Sequence, residues 1–407
     1  MFRKIIFGLL LFLSNSPFLF SQFTVYNSGN SPLPDNNVQS IAVDRFGKKW
    51  IGTDIGLAVF NDTNWTIYNT GNSGLPNDGV RSIAFDKNDV AWIGTYFGGL
   101  AKFNGTTWTV YNMSNSGLPN DFVKAIDFDS LGNVWVGTGY GFARFDGVTW
   151  TTWNSSNSIF VSDNILALKI NRKTEFKYIG TNNGGYGELD NMDNITIYTN
   201  GNSNLVDNTQ QAISLDTSGY QSLGLAADGM MIHYTGNVWQ WYYNLNSGIP
   251  SNTVYDICTD SLNSKYIGSL AGLTKFDGTT WTTWSTFNSN IPNDFVHKVA
   301  LERNQIIWIG TPSGAAKMVL PVGMNEFEND NSSINIYPNP NDGHFTIQWN
   351  DKFSEFKNIR VMDLAGREIF SSSDLGHGER SRTIDIGLAP GMYFVSVGNF
   401  QKKMVVR

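Results

Sequence analysis

A chain of 407 residues with 13 Trp, 16 Tyr, 27 Phe and 41 Gly, but only 15% charged residues, is too long for one ordinary domain and too rich in aromatics and glycine for long helices. The formal net charge of -7, with no Lys/Arg-rich run beyond the extreme N-terminus, argues against a nucleic-acid partner, because phosphate binding relies on a basic face that releases counterions. The single cysteine, Cys258, has no internal disulfide partner, so packing alone must hold the fold; the thiol reads as a small buried apolar group on a strand.

At the N-terminus, Arg3 and Lys4 precede an apolar run from Ile5 to Leu13, which Asn15, Ser16 and Pro17 interrupt before membrane-spanning length is reached. The pattern predicts a secretory signal peptide over residues 1–21, cut near Ser21-Gln22. No second apolar stretch of spanning length follows. The mature chain is therefore expected to be soluble, without a transmembrane segment.

The stretch Trp50-Ile51-Gly52-Thr53 then sets the architecture. Copies begin at Trp92, Trp135, Tyr178, Ser222, Tyr266 and Trp308, in steps of 42, 43, 43, 44, 44 and 42 residues. A period of this size, built from short strands, predicts an all-β chain with a seven-bladed β-propeller over residues 22–323, one blade per repeat. Within one unit, strands are expected at Val80 to Phe85, Val90 to Thr95, Gly99 to Phe103 and Trp108 to Tyr111, with a tight Asn104-Gly105 turn between the last two. Neither side of the second strand around Trp92 is charged, so both faces must be covered, each Trp contributing about 2 to 3 kcal/mol of burial. Gly94 marks a place where a neighbouring element comes close.

The fourth-strand pattern Trp-Thr-x-aromatic is missing after the seventh copy. It stands instead at the start of the chain, where Phe23-Thr24-Val25-Tyr26-Asn27 matches Trp65-Thr66-Ile67-Tyr68-Asn69 at a spacing of 42. The N-terminal strand is thus expected to close the ring as the outer strand of blade seven, removing an open edge.

Val80-x-x-Ile83-x-x-Asp86, Trp92-Ile93-Gly94-Thr95 and Gly98-Gly99-Leu100-x-x-Phe103 resemble the two-component regulator propeller repeat. That resemblance covers residues 23 to about 320. In its best-known setting the repeat forms the periplasmic sensor of hybrid histidine kinases that detect glycan fragments. The kinase-linked family continues into a transmembrane helix and a kinase core, neither of which follows here, so what it implies is a fold and a binding face.

In a propeller the loops between second and third strands share a rim with the blade-to-blade connections. That rim would gather Asp54, Tyr96, Phe97, Tyr140, Asn182, Asn183 and Tyr186, aromatic and amide groups suited to sugar rings. The Asn and Asp of the connections, such as Asn36, Asp78, Asn120, Asp121, Asp163, Asn252 and Asp294, read first as turn formers. So does the series Asp44, Asp86, Asp129, Asp216 and Asp260, which recurs at a hairpin turn. Blades four and five depart most from the repeat, with an expanded loop at Asn182-Asn183-Gly184-Gly185-Tyr186-Gly187 and Ser222 in place of Trp; His233 beside them reads as a hydrogen-bonded strand residue. The four His show no zinc spacing, and no nucleophile elbow, phosphate loop or calcium loop occurs. No cofactor, metal or catalytic residue is predicted.

After an acidic, polar linker at residues 324–332, the repeat ends. Seven short strand patterns from Ile334 to Val406 predict a small immunoglobulin-like β-sandwich over residues 333–407. Tyr337-Pro338-Asn339-Pro340, Asp363-Leu364-Ala365-Gly366 and Leu388-Ala389-Pro390-Gly391-Met392-Tyr393 resemble the type A C-terminal sorting domain of type IX secretion. This resemblance implies recognition by the type IX machinery and passage across the outer membrane, with the cargo released or attached to the cell surface. The combined expectation is a monomeric, non-catalytic binding platform for a glycan or protein ligand. An extracellular polysaccharide lyase or glycosidase, whose carboxylates would converge in one pocket, and a structural adhesion protein remain alternatives.

Overall fold

The computed structural model describes residues 23–234, 236–303, 306–320, 335–349, 359–363, 367–372, 381–397 and 400–407. The expected signal peptide and linker lie outside these. The chain divides into two compact units, with the break between Leu320 and Pro321.

In the first unit, seven four-stranded antiparallel sheets form seven blades. Blades one to six span residues 38–68, 80–111, 123–153, 165–198, 210–242 and 254–284, and blade seven runs over residues 298–319. The second strands, such as Ala91–Thr95 and Val134–Thr138, are buried along their whole length. First strands of successive blades touch one another around a complete circle, so they lie innermost, at the axis.

Two features explain the closeness of the packing. The glycine of each Trp-x-Gly-x motif receives a side chain from the next blade: a Cβ on Gly94 would stand 2.4 Å from Val123 Cγ1, and one on Gly310 would stand 2.6 Å from Val38 Cγ1. The second contact joins blade seven to blade one. In blades one to three and seven a carboxylate at the end of the first strand also reaches the motif's Trp six positions on: Trp50, Trp92 and Trp135 donate their indole N–H to Asp44, Asp86 and Asp129 at 3.2, 3.4 and 3.0 Å, and Trp308 donates to Glu302 at 3.0 Å. The aspartates thus form the turn, as the periodicity predicts, and also anchor the ring beneath it.

The circle closes as the missing fourth strand predicts. Thr24–Tyr26 pairs with the outer edge of blade seven in the register Thr24 to Lys317, Val25 to Ala316 and Tyr26 to Ala315. Tyr26 stacks on Trp308 at 5.5 Å, and Asn290 holds the backbone of Phe23 through both its N–H and its carbonyl.

In the second unit, a three-stranded sheet (Asn335–Tyr337, His344–Gln348, Ser381–Asp385) and a four-stranded sheet (Glu368–Ser372, Ile359–Met362, Gly391–Val397, Phe400–Val406) share one apolar cluster. It includes Phe345 and Ile347 from the first and Val361, Val395 and Met404 from the second. Cys258 is partly buried against the apolar cluster of blades six and seven, and burial together with Asp256 and Asp260 pushes its thiol well up.

Candidate functional site: the axial mouth

The first strand of each of blades one to six carries a bulge near its start. In blade one, Val38 and Ser40 face the adjacent residues Thr53 and Gly52, leaving Gln39 unpaired between them. The same break occurs at Val80/Ser82, Val123/Ala125, Ile165/Ala167, Gln210/Ala212 and Val254/Asp256. A bulge of this kind re-aims one side chain. The residues so released, Gln39, Arg81, Lys124, Leu166, Gln211 and Tyr255, together with His297 of blade seven, line an axial cavity of about 330 Å³ whose wall also includes Phe122, Phe295 and Lys298.

Phe122 and Phe295 come from the two connections reading Pro-Asn-Asp-Phe-Val, residues 119–123 and 292–296. Asn120 and Asn293 fix them locally by accepting their backbone N–H at 2.9 and 2.8 Å. Blades three and seven stand nearly opposite in a ring of seven, so the two rings flank the cavity from both sides. Phe295 packs edge-on to His297 at 4.0 Å and against Tyr255 at 4.6 Å.

The polar groups are unevenly distributed around the ring. Arg81 is bridged to Asp54 at 2.6 Å, and the other Asp54 oxygen accepts from Asn37 at 2.6 Å. Lys298 lies 3.8 Å from Asp256. Lys124 lies against Asn164 Oδ1 and 4.6 Å over the Phe122 ring, and among the described residues no carboxylate forms an ion pair with it. Burial pushes the Lys124 ammonium down. It also pushes His297 down, opposed by the Val38 carbonyl and Asp54 and assisted by Lys298 and Arg81. None of the ten residues lining the cavity is Asp or Glu.

None of the seven rim residues expected from sequence lines this cavity itself. Three touch its wall: Asp54 through Arg81, and Tyr96 and Phe97 through Phe122, at 4.8 and 5.3 Å. Tyr140 is exposed on the blade-three loop. Asn182 and Asn183 are tied to the neighbouring connections through their backbone N–H, to Asn164 O and Thr209 Oγ1. Tyr186 is a correction: it is fully buried, because it occupies the start of its third strand, opposite Gly180, where the other blades place a core residue such as Leu100 opposite Gly94. Its hydroxyl reaches Glu188 at 3.2 Å in a buried polar cluster with Tyr198 and His233. His233 is held at 2.8 Å from Gln221 Oε1 and 2.7 Å from Gly236 O, a strand residue locked in place. The Asn and Asp of the connections are turn formers: Asn36, Asp78, Asp121, Asp163, Asn252 and Asp294 each accept the N–H of the residue eight positions earlier.

A second cavity, of about 410 Å³, lies at the other ends of the first strands among blades three to five. Its main carboxylate, Asp127, is already taken by Ile170 N–H, Arg172 and Lys169. No cluster of His, Cys, Asp and Glu suited to a metal occurs among the described residues.

In the C-terminal unit, Asn339 accepts the N–H of Val405 at 2.8 Å, and the backbone of Asn341 bonds to Val405 O and Arg407 N. The segment Tyr337 to Asn341 thereby clips the last strand. Gly391 pairs with Val406, and Tyr393 donates to Ala389 O at 2.9 Å. Tyr337 is half exposed, and Gly366 lies outside the described residues.

Comparison with known proteins agrees with both units. Residues 74–97 and 117–140 match the two component regulator propeller, and residues 335–407 match the secretion system C-terminal sorting domain. The chain thus joins regulator-type propeller repeats to a type IX sorting domain. That domain marks it for export, to be secreted or displayed at the cell surface. Among solved structures, a protein described as the extracellular domain of a hybrid two component system, BT3049 of B. thetaiotaomicron, is similar at 19% identity and a TM-score of 0.66, over 95% of this chain and 57% of its own. PorZ, a surface component of the type-IX secretion system of Porphyromonas gingivalis, is similar at 16% identity and a TM-score of 0.60, over 92% of this chain and 60% of its own. A streptogramin B lyase is similar at 12% identity and a TM-score of 0.59, over 72% and 96%. At these identities the likeness is one of fold, and this chain spans less than two thirds of the first two proteins. No curated protein matches the sequence. Among the described residues no helix is long and apolar enough to cross a membrane.

Proposed function

We propose that the exported propeller is a non-catalytic binding platform that holds a glycan at the axial mouth. The observation that carries this reading is the ring of bulged first-strand residues around an open cavity. It combines facing aromatic rings, Phe122 and Phe295, with amide and cationic groups from several blades. A sugar presents an apolar face and a fringe of hydroxyls, and this wall offers a complement to each. The absence of Asp and Glu from the lining favours binding over hydrolysis, which needs two carboxylates flanking the bond.

The test is a glycan array probed with the full chain and with Phe122→Ala, Phe295→Ala and Tyr140→Ala variants. Binding lost in the first two and kept in the third is expected. Capture of no glycan by the parent chain overturns the reading, and chromatographic detection of shortened oligosaccharides overturns its non-catalytic part.

A further inference from the structure

The charge of the axial mouth runs against that of the molecule. The chain carries a formal net charge of -7, yet the ten residues around the cavity include Arg81, Lys124 and Lys298 and no acid. Two of these cations have carboxylates nearby: Asp54 bridges Arg81 with both its oxygens engaged, and Asp256 faces Lys298. Lys124 has none among the described residues; it leans on the neutral Asn164 and on the face of Phe122. A partly desolvated ammonium without a counter-ion is costly in the free protein, and that cost is relieved when a bound group supplies negative charge. Lys124 also sits one position past the bulge base Val123, two residues beyond Phe122 and with its ammonium 4.6 Å over that ring, so a sugar ring stacked on Phe122 would carry its substituents past the ammonium.

From this juxtaposition we infer that the mouth selects an anionic saccharide, whose carboxylate or sulfate pairs with Lys124 while a ring of the same ligand packs on Phe122. The inference rests on the glycan-binding reading and narrows it to a substrate class. Among the bulged positions the two cations, Arg81 and Lys124, are contributed by blades two and three, whereas Gln39 of blade one and Leu166, Gln211 and Tyr255 of blades four to six are uncharged, and Lys298 of blade seven already faces Asp256. The acidic group therefore points to blades two and three and the neutral part of the ligand to blades four to six.

The experiment is calorimetric titration of the full chain with three probes: oligogalacturonate for the carboxylate, sulfated dextran oligomers for the sulfate, and unmodified dextran oligomers as the neutral control. At least one anionic probe is expected to bind at least about tenfold more tightly than the neutral one, and Lys124→Met to remove about that factor while Lys124→Arg retains it. Raising NaCl from about 0.05 M to about 0.5 M is expected to weaken the anionic interaction severalfold, as the Debye length contracts; this arm needs no variant. Which anionic probe binds identifies the acid. Binding of the neutral probe as tight as either anionic one, unchanged in Lys124→Met, overturns this inference and leaves the glycan reading standing. Binding of no saccharide overturns both.

Discussion

The indole of Trp135 donates to Asp129 Oδ2 at 3.0 Å, six residues back along the chain and across the hairpin that Asp129 itself shapes. Asp129 also accepts the backbone and side-chain N–H of Asn133, each at 2.8 Å. One buried carboxylate therefore satisfies three donors from the turn and the second strand. Asp129→Ala leaves these without an acceptor and is expected to cost about 2 to 4 kcal/mol, read as a fall in the urea midpoint of the full chain. Asp260→Ala in blade six, where the ring partner is the Tyr266 hydroxyl at 3.4 Å, is expected to cost less. Equal losses would show that the ring bond contributes nothing beyond the turn.

Blade five lacks this arrangement because Ser222 stands where the ring would be. The Ser222 side chain is buried and its Oγ has no hydrogen-bond partner. Removing an unpaired buried hydroxyl is favourable, so Ser222→Ala is expected to stabilise the chain by about 1 kcal/mol. Differential scanning calorimetry should show a higher Tm, and a lower one would mean that the hydroxyl is satisfied.

The blade-to-blade contacts make a separate prediction about glycine. A Cβ on Gly94 would fall 2.2 Å from Ser82 Oγ and 2.4 Å from Val123 Cγ1, whereas one on Gly105 meets nothing within 4 Å. Gly94→Ala must force two blades apart and is expected to cost about 3 kcal/mol. Gly105→Ala suffers only from its φ of 99°, a cost of about 1 kcal/mol. Chemical denaturation of the two variants separates overpacking from backbone strain, and similar values would remove the role assigned to the interblade contact.

Acid sensitivity follows from the turns between third and fourth strands. The Asp277 carboxyl is held well below the usual carboxylate range by the hydroxyl and N–H of Thr280 and by Thr279. Asp190 is held down by Asn194 and Met192, and Asp146 by the N–H groups of Thr149 and Val148. A carboxylate lowered on folding contributes stability above its unfolded pKa of about 3.9 and loses that contribution as pH falls through the folded value. Blades one and two place Asn61 and Asn104 at the same position, where they accept the same N–H groups without titrating. The triple variant Asp146→Asn, Asp190→Asn, Asp277→Asn is therefore expected to lose less stability than the parent between about pH 4 and about pH 2. Urea midpoints across that range check it; parallel slopes would reject it.

Much of the fold could be read from the chain itself because a propeller repeats its core. The Trp-Ile-Gly-Thr copies fall on second strands, and Phe23-Thr24-Val25-Tyr26 announces the closing strand by matching Trp65-Thr66-Ile67-Tyr68. The axial mouth was hidden for the opposite reason. Its positions read Gln39, Arg81, Lys124, Leu166, Gln211, Tyr255 and His297, a column with no common side chain, and in blades one to six it is a backbone bulge that turns them toward the cavity. A signal did exist: each follows a buried residue, such as Val38, Val80, Val123 or Val254, that aligns across blades. Tyr186 was misplaced although Gly184-Gly185-Tyr186 aligns with Gly98-Gly99-Leu100, an alignment that assigns it to the core.

The pairing of Thr24–Tyr26 with Ala315–Lys317 also gives the chain a means of registering its own completeness. The first segment of the propeller to be synthesised is the last to find its place, because its partner is not made until the seventh repeat is finished. A product that stops early carries six blades at most and one orphaned strand, with an unpaired edge that invites aggregation or proteolysis. Since the sorting domain lies beyond Ala315–Lys317 in sequence, a chain that has made the export address has already made the strand that completes the ring.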